Sequence, residues 1–98
     1  MILVRDVFRL KFGKARDAKA LMQESKKLMQ PDMASRSRVL FDLVGPSYTM
    51  VWEMTYTNLA AWESEMASGM NEAAWKEWYQ KFILIIETSY REIFTVAE

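Results

Sequence analysis

The run Val44-Gly45-Pro46-Ser47-Tyr48-Thr49-Met50-Val51-Trp52-Glu53-Met54-Thr55-Tyr56 constrains this chain more than any other. Gly45-Pro46-Ser47 is a turn signal between two strand-like runs, and such a pair makes a hairpin. The strand before the turn runs from about Arg36 to Val44. It sets Val39, Phe41 and Leu43 on one face and Arg36, Arg38, Leu40 and Asp42 on the other. The strand after it, Tyr48 to Tyr56, sets Tyr48, Met50, Trp52, Met54 and Tyr56 against Thr49, Val51, Glu53 and Thr55. Bulky apolar groups on one side and small or polar ones on the other mark a strand inside a sheet covered on one face.

The rest of the chain supplies partners for this hairpin. Residues Ile2 to Phe12 alternate, with Ile2, Val4, Phe8, Leu10 and Phe12 on one face and Leu3, Arg5, Val7, Arg9 and Lys11 on the other. Asp6 breaks the apolar face, and the cost of burying a lone carboxylate places it at the sheet rim. Lys14 to Gln30 lacks Gly and Pro, and its apolar residues recur at helical spacing from Ala15 to Met29. Pro31 and Asp32 stop that helix, and Met33 to Ser35 read as a short loop. Thr57 or Asn58 caps a second helix with the stripe Leu59, Trp62 and Met66, ended by Ser68-Gly69-Met70. Asn71 caps a third, with Ala74, Trp75, Trp78, Phe82 and Ile85 on its inner face. Thr88 to Val96 is the last strand, with Tyr90, Phe94 and Val96 expected toward the helices.

The order strand, helix, strand, strand, broken helix, strand predicts an α+β, ferredoxin-like βαββαβ fold. It is a four-stranded antiparallel sheet with the helices on one face, in a single domain spanning residues 1–98. The other face would carry Val7, Leu40, Val51 and Ile93 among charges. That is too apolar for water, and 51% of all residues are apolar. Pairing the open faces of two subunits resolves it. Charge agrees: through Arg38 there are ten Lys and Arg against four acids, and from Val39 onward three against nine. Oppositely charged halves attract across a symmetric interface.

Several functions are excluded or disfavoured. The chain has no Cys and no His, which removes thiolate chemistry, the usual metal ligands and the usual haem ligand. No metal and no cofactor is expected. The longest apolar run, Phe82 to Ile86, is too short to span a membrane, and Arg5 interrupts the N-terminus too early for a signal-peptide core. A cytoplasmic protein is expected, with no membrane partner. The cations are spread singly, so no nucleic-acid partner is expected.

The chain resembles the dimeric α+β barrel superfamily, and more narrowly NIPSNAP-like and antibiotic-biosynthesis-monooxygenase-like small proteins. The likeness is carried by Val44-Gly45-Pro46, Val51-Trp52-Glu53-Met54, Asn58-Leu59-Ala60-Ala61-Trp62-Glu63, Trp75-Lys76-Glu77-Trp78 and Arg91-Glu92-Ile93-Phe94. It implies a homodimer whose two sheets close a barrel, with a ligand pocket inside the barrel or between sheet and helices. The resemblance transfers a fold more firmly than a function.

Two sets of residues are candidates for ligand binding. Arg5, Arg9, Arg38, Arg91 and Glu53 are expected to share the face away from the helices. They read either as a polar pocket that grips an acidic ligand or as an ion-paired interface. Tyr48, Trp52, Trp62, Trp75 and Trp78 read either as the wall of an aromatic ligand cavity or as helix and core packing. Cofactor-free oxygenases of the superfamily hold an activated substrate with polar and aromatic groups, and Tyr48, Trp52 and Asn58 are the nearest such groups here. No catalytic residue is assigned. The expected function is binding of a small apolar or acidic molecule by a homodimer. The alternatives are a cofactor-independent monooxygenase or isomerase acting on an aromatic or polyketide-like substrate, and a structural interaction module.

Overall fold

A computed structural model describes residues 1–69 and 72–97. The elements are β1 (Ile2–Leu10), α1 (Ala15–Leu28), α2 (Pro31–Ser35), β2 (Ser37–Phe41), β3 (Thr49–Tyr56), α3 (Leu59–Gly69), α4 (Ala73–Phe82), a 3-10 turn at Ile83–Ile85, and β4 (Ile86–Thr95). The four strands form one antiparallel sheet in the order β2-β3-β1-β4. This is the α+β, ferredoxin-like arrangement, and β3 lies inside the sheet as its pattern predicts.

Pro31 does not simply end α1. It opens the short helix α2, where a fixed φ and a missing N–H are both tolerated. Residues 33–35 are therefore helical rather than loop. The hairpin loop spans residues 42–48 and is longer than the Gly45-Pro46-Ser47 turn. Gly45 has φ 130°, a region open to Gly alone, and Tyr48 re-enters the strand in a left-handed conformation with φ 60°. Asp42 closes the loop: its backbone N–H donates to Thr49 O at 3.1 Å, and its Oδ1 accepts from Thr49 N–H at 3.0 Å. Asn58 caps α3, its Oδ1 accepting from Ala61 N–H at 2.9 Å. The cap expected at Asn71, and Met70 beside it, lie outside the described residues.

The core sits between the sheet and the pair α1 and α4. Ala18, Leu21, Met22 and Ser25 make the buried stripe of α1, and Trp78 and Phe82 that of α4. They meet Leu10 and Met50 of the sheet and Ile85 of the 3-10 turn. The Trp78 indole stacks on Phe82 at 4.8 Å, Phe82 meets Phe8 edge-on at 4.9 Å, and Trp78 Nε1 donates to Leu21 O at 2.7 Å. That bond fixes α4 against α1. By contrast, α3 buries none of its residues.

The phase of β4 differs from the one its sequence suggests. Arg9 lies opposite Thr88, but Leu10 lies opposite Ile86, so the strand carries one extra residue, a β-bulge at Glu87. Side chains alternate strictly, so one inserted residue turns every later side chain to the other face. Ser89, Arg91 and Ile93 therefore face the helices, opposite Phe8, Asp6 and Val4. Tyr90, Glu92 and Phe94 join Val7, Arg5 and Leu3 on the open face. Arg36 also departs from expectation. It is the C-cap of α2, and its guanidinium turns to Tyr56 and to Glu65 of α3.

Candidate functional site

On the open face, one row crosses all four strands with alternating charge: Arg38, Glu53, Arg5, Glu92. Arg38 Nε donates to Glu53 Oε1 at 2.6 Å, Arg5 Nε to Glu53 Oε2 at 3.2 Å, and Arg5 Nη1 to Glu92 Oε1 at 2.8 Å. Glu53 is only 6% exposed, and its two oxygens each take one guanidinium. Its bond to Glu92 raises the Arg5 guanidinium above its ordinary value, with Glu53 adding to this against burial. Four of the sequence candidates thus belong to an ion-paired sheet surface: Arg5, Arg38 and Glu53 in the row, and Arg9 on the same face opposite Thr49 and Thr88. The next row is apolar: Leu40, Val51, Val7, Tyr90.

Arg91 is on the other face, turned there by the bulge. Its Nε donates to Asp6 Oδ1 at 2.6 Å, and its guanidinium lies 5.1 Å from the centre of the Trp62 ring. Asp6 is not at the rim. It stands mid-strand between Trp52 and Arg91. The partner that makes a carboxylate tenable there comes from a strand 85 residues away in sequence.

The row Trp52–Asp6–Arg91 forms the floor of a cavity of about 470 Å³ between the sheet and the helices α3 and α4. Trp62, Glu65, Met66 and Gly69 of α3 form its roof, and their i, i+3, i+4, i+7 spacing is one helical stripe. This is why α3 buries nothing: its inner face looks onto the cavity instead of onto the sheet. Trp75 and Trp78 of α4 close one side. All four tryptophans of the chain line this space. Trp78 contacts Trp52 at 5.9 Å and Trp75 at 5.6 Å, both edge-to-face. Among the described residues, Trp52 Nε1 is a buried donor without an acceptor.

A second polar group sits at the α3 end. Arg36 Nη2 donates to Glu65 Oε1 at 2.8 Å, Arg36 Nη1 to Thr55 O at 2.7 Å, and the guanidinium lies 5.2 Å from the Tyr56 ring. Burial pulls the Arg36 guanidinium down, but its bonds to Glu65 and Asp32 leave it raised overall. Burial pushes the Tyr56 phenol up, and the neighbouring Glu65 carboxylate adds to this. Its hydroxyl donates to Met54 Sδ at 3.0 Å.

Tyr48 takes no part in the cavity. It packs against Phe12 at 4.9 Å beside the hairpin loop. Asn58 serves as the α3 cap at the opposite end of β3. The eight residues of β3 between them span roughly 27 Å at about 3.4 Å per residue, so Tyr48, Trp52 and Asn58 do not form one site. Sequence pattern set Met54 and Tyr56 on the face of Trp52 and Met66 on the stripe of Trp62, but it gave no sign that Asp6, Met33 and Glu65 join them. The Trp62-to-Met66 stripe was the one signal that pointed to a helix face over this space.

No family model matches the chain, and neither does any curated protein. Solved structures do. A NIPSNAP family protein of unknown function from Agrobacterium tumefaciens superposes with a TM-score of 0.88 at 19% identity, over 99% of this chain and 88% of that one. An uncharacterised NIPSNAP domain protein from Burkholderia xenovorans gives 0.82 at 12% identity, over 99% and 95%. An antibiotic biosynthesis monooxygenase gives 0.73 at 12% identity, over the whole of both chains. At such identities the likeness is one of fold: the protein is built as the NIPSNAP and antibiotic-biosynthesis-monooxygenase structures are.

Proposed function

We propose that this protein binds a small ring-containing molecule in the cavity between its sheet and α3 and α4. The observation that carries the reading is the convergence of all four tryptophans on one space of about 470 Å³. Ligand cavities typically measure roughly 300–1,000 Å³ and combine aromatic walls with a few placed polar groups. Here those groups are Asp6 and Arg91 on the floor and Glu65 under the roof. Aromatic walls favour a flat ring, which stacks or meets them edge-on. Intrinsic tryptophan fluorescence tests this directly, since every fluorophore lines the cavity. Titration with a bicyclic aromatic such as 2-naphthoate should change the emission saturably. An emission unchanged up to the solubility limit of the probe would reject the reading.

The binding unit is a homodimer formed through the open sheet face. The support is charge order. A twofold axis along the strands reverses the row, setting Arg38 over the partner's Glu92 and Arg5 over the partner's Glu53, so every charge meets its opposite. An axis along the row would set like on like. The same rotation brings the apolar row of Leu40, Val51, Val7 and Tyr90 onto its own copy. Sedimentation equilibrium at micromolar concentration should give a dimer, and a strictly monomeric mass removes this part of the proposal.

A further inference from the structure

We infer that the ligand of this cavity is an aromatic carboxylic acid, and that Arg91 is the residue that reads its carboxylate. The inference rests on the cavity reading above and names its ligand class. It starts from how Arg91 is held. Its Nε is committed to Asp6 at 2.6 Å, and its flat guanidinium lies over the Trp62 ring at 5.1 Å. Two contacts of different kind fix both position and plane. Among the described residues, no acceptor meets its two terminal Nη groups. A guanidinium offers five N–H donors in a rigid fork, and an edge with two Nη groups matches a carboxylate. Arg91 is also 44% exposed in its side chain while lining the cavity, which places it at the opening rather than the depth.

The other charged groups of the cavity do not offer this. Glu65 is neutralised by Arg36, whose donors also hold Thr55 O and Asp32. Asp6 takes up one donor of Arg91 and leaves the fork free. The spacing suits a ring acid. Trp52 and Arg91 share one row with a single strand between them, so their backbones lie about 10 Å apart at roughly 4.8 Å per strand. A ring lodged against Trp52, Trp75 and Trp78 can therefore carry its carboxylate to the mouth. Asp6 opposes the bound anion by like-charge repulsion, so it sets an upper bound on affinity while holding the arginine in place.

Matched probes test this: 2-naphthoate and its neutral isostere 2-naphthamide, followed by tryptophan emission. The wild type should bind naphthoate about tenfold or more tighter than the amide, on the scale of a charge-assisted pair. Arg91→Gln should remove that preference and leave amide binding within about twofold. Asp6→Asn keeps an acceptor for Nε and removes the competing charge, so it should tighten naphthoate and not the amide. Equal affinity of the wild type for both probes overturns the inference and leaves the cavity reading intact. So does a loss of both probes in Arg91→Gln, which would make Arg91 a packing residue. Failure of the wild type to bind either probe overturns the cavity reading itself.

Discussion

Trp52 and Glu53 are chain neighbours on β3 that face opposite sides of the sheet: the indole walls the cavity, and the carboxylate sits between two arginines. The same pairing recurs on the adjacent strands, with Asp6 backing Arg5 and Arg91 backing Glu92. The cavity floor and the charged row are thus two sides of one three-strand strip.

Glu53 holds that strip from behind. Glu53→Ala leaves two guanidinium groups without their shared partner. In the single chain Arg38 is 70% exposed in its side chain and Arg5 keeps Glu92, so in dilute, dissociated protein both regain much of their solvation. The loss should therefore be about 1–2 kcal/mol, below the roughly 3–5 kcal/mol of a fully buried pair. Urea titration measures it, and an unchanged midpoint would show that the carboxylate contributes nothing net.

Leu40→Glu should shift the protein to monomer without unfolding it. Leu40 is 38% exposed in the single chain, so a carboxylate there stays hydrated. In the twofold arrangement it is set against the partner's apolar row. Sedimentation should report about half the wild-type mass, with an unchanged circular dichroism spectrum. A Leu40→Glu variant that remains dimeric would place the interface elsewhere.

Helix α3 should be the least protected of the three long helices, α1, α3 and α4. It has no buried residue, whereas α1 and α4 carry the core stripe. Local opening follows the density of buried contacts. Amide hydrogen exchange should be faster across residues 59–69 than across residues 15–28, and a saturating aromatic acid should slow the former selectively. Equal protection in the two helices would contradict this.

Tyr56 predicts an alkaline weakness. Its phenol, 7% exposed, is held protonated above its ordinary value, mainly by burial. The unfolded chain releases this proton near pH 10 and the folded chain does not, so stability is full below pH 10 and falls above it. Each such proton contributes up to about 1.4 kcal/mol per pH unit. Tyr56→Phe should flatten the decline of urea midpoint between pH 9.5 and 11. An identical slope in both proteins would show that Tyr56 ionises freely in the fold.

Apart from the short helix α2, the order of elements was legible in the sequence because the strands have period two and the longer helices period 3.6, with turn residues at the joins. Even the inner strand of the hairpin could be named, since its bulky and small faces differ. What the pattern concealed was long-range. A bulge in β4 has no Gly and no Pro to announce it. Without it, Arg91 reads as a neighbour of Arg5 rather than of Asp6, and Asp6 looks too costly to stand mid-strand. The cavity was half legible. Tryptophans at helical spacing look the same whether they fill a core or wall a space, and only the stand-off of α3 decides between them.

The single extra residue near Glu87 also decides how this chain is to be compared with others. Relatives that lack it would keep each later β4 residue on the same face, but one position earlier in the strand. An alignment forced through this strand without a gap would match cavity residues to interface residues over its remaining length. Deletion of Glu87 is the matching experiment in the laboratory: Ile86 opposite Leu10 and Thr88 opposite Arg9 would then follow one another directly, so every later β4 side chain should keep its face and only the bulge should be lost.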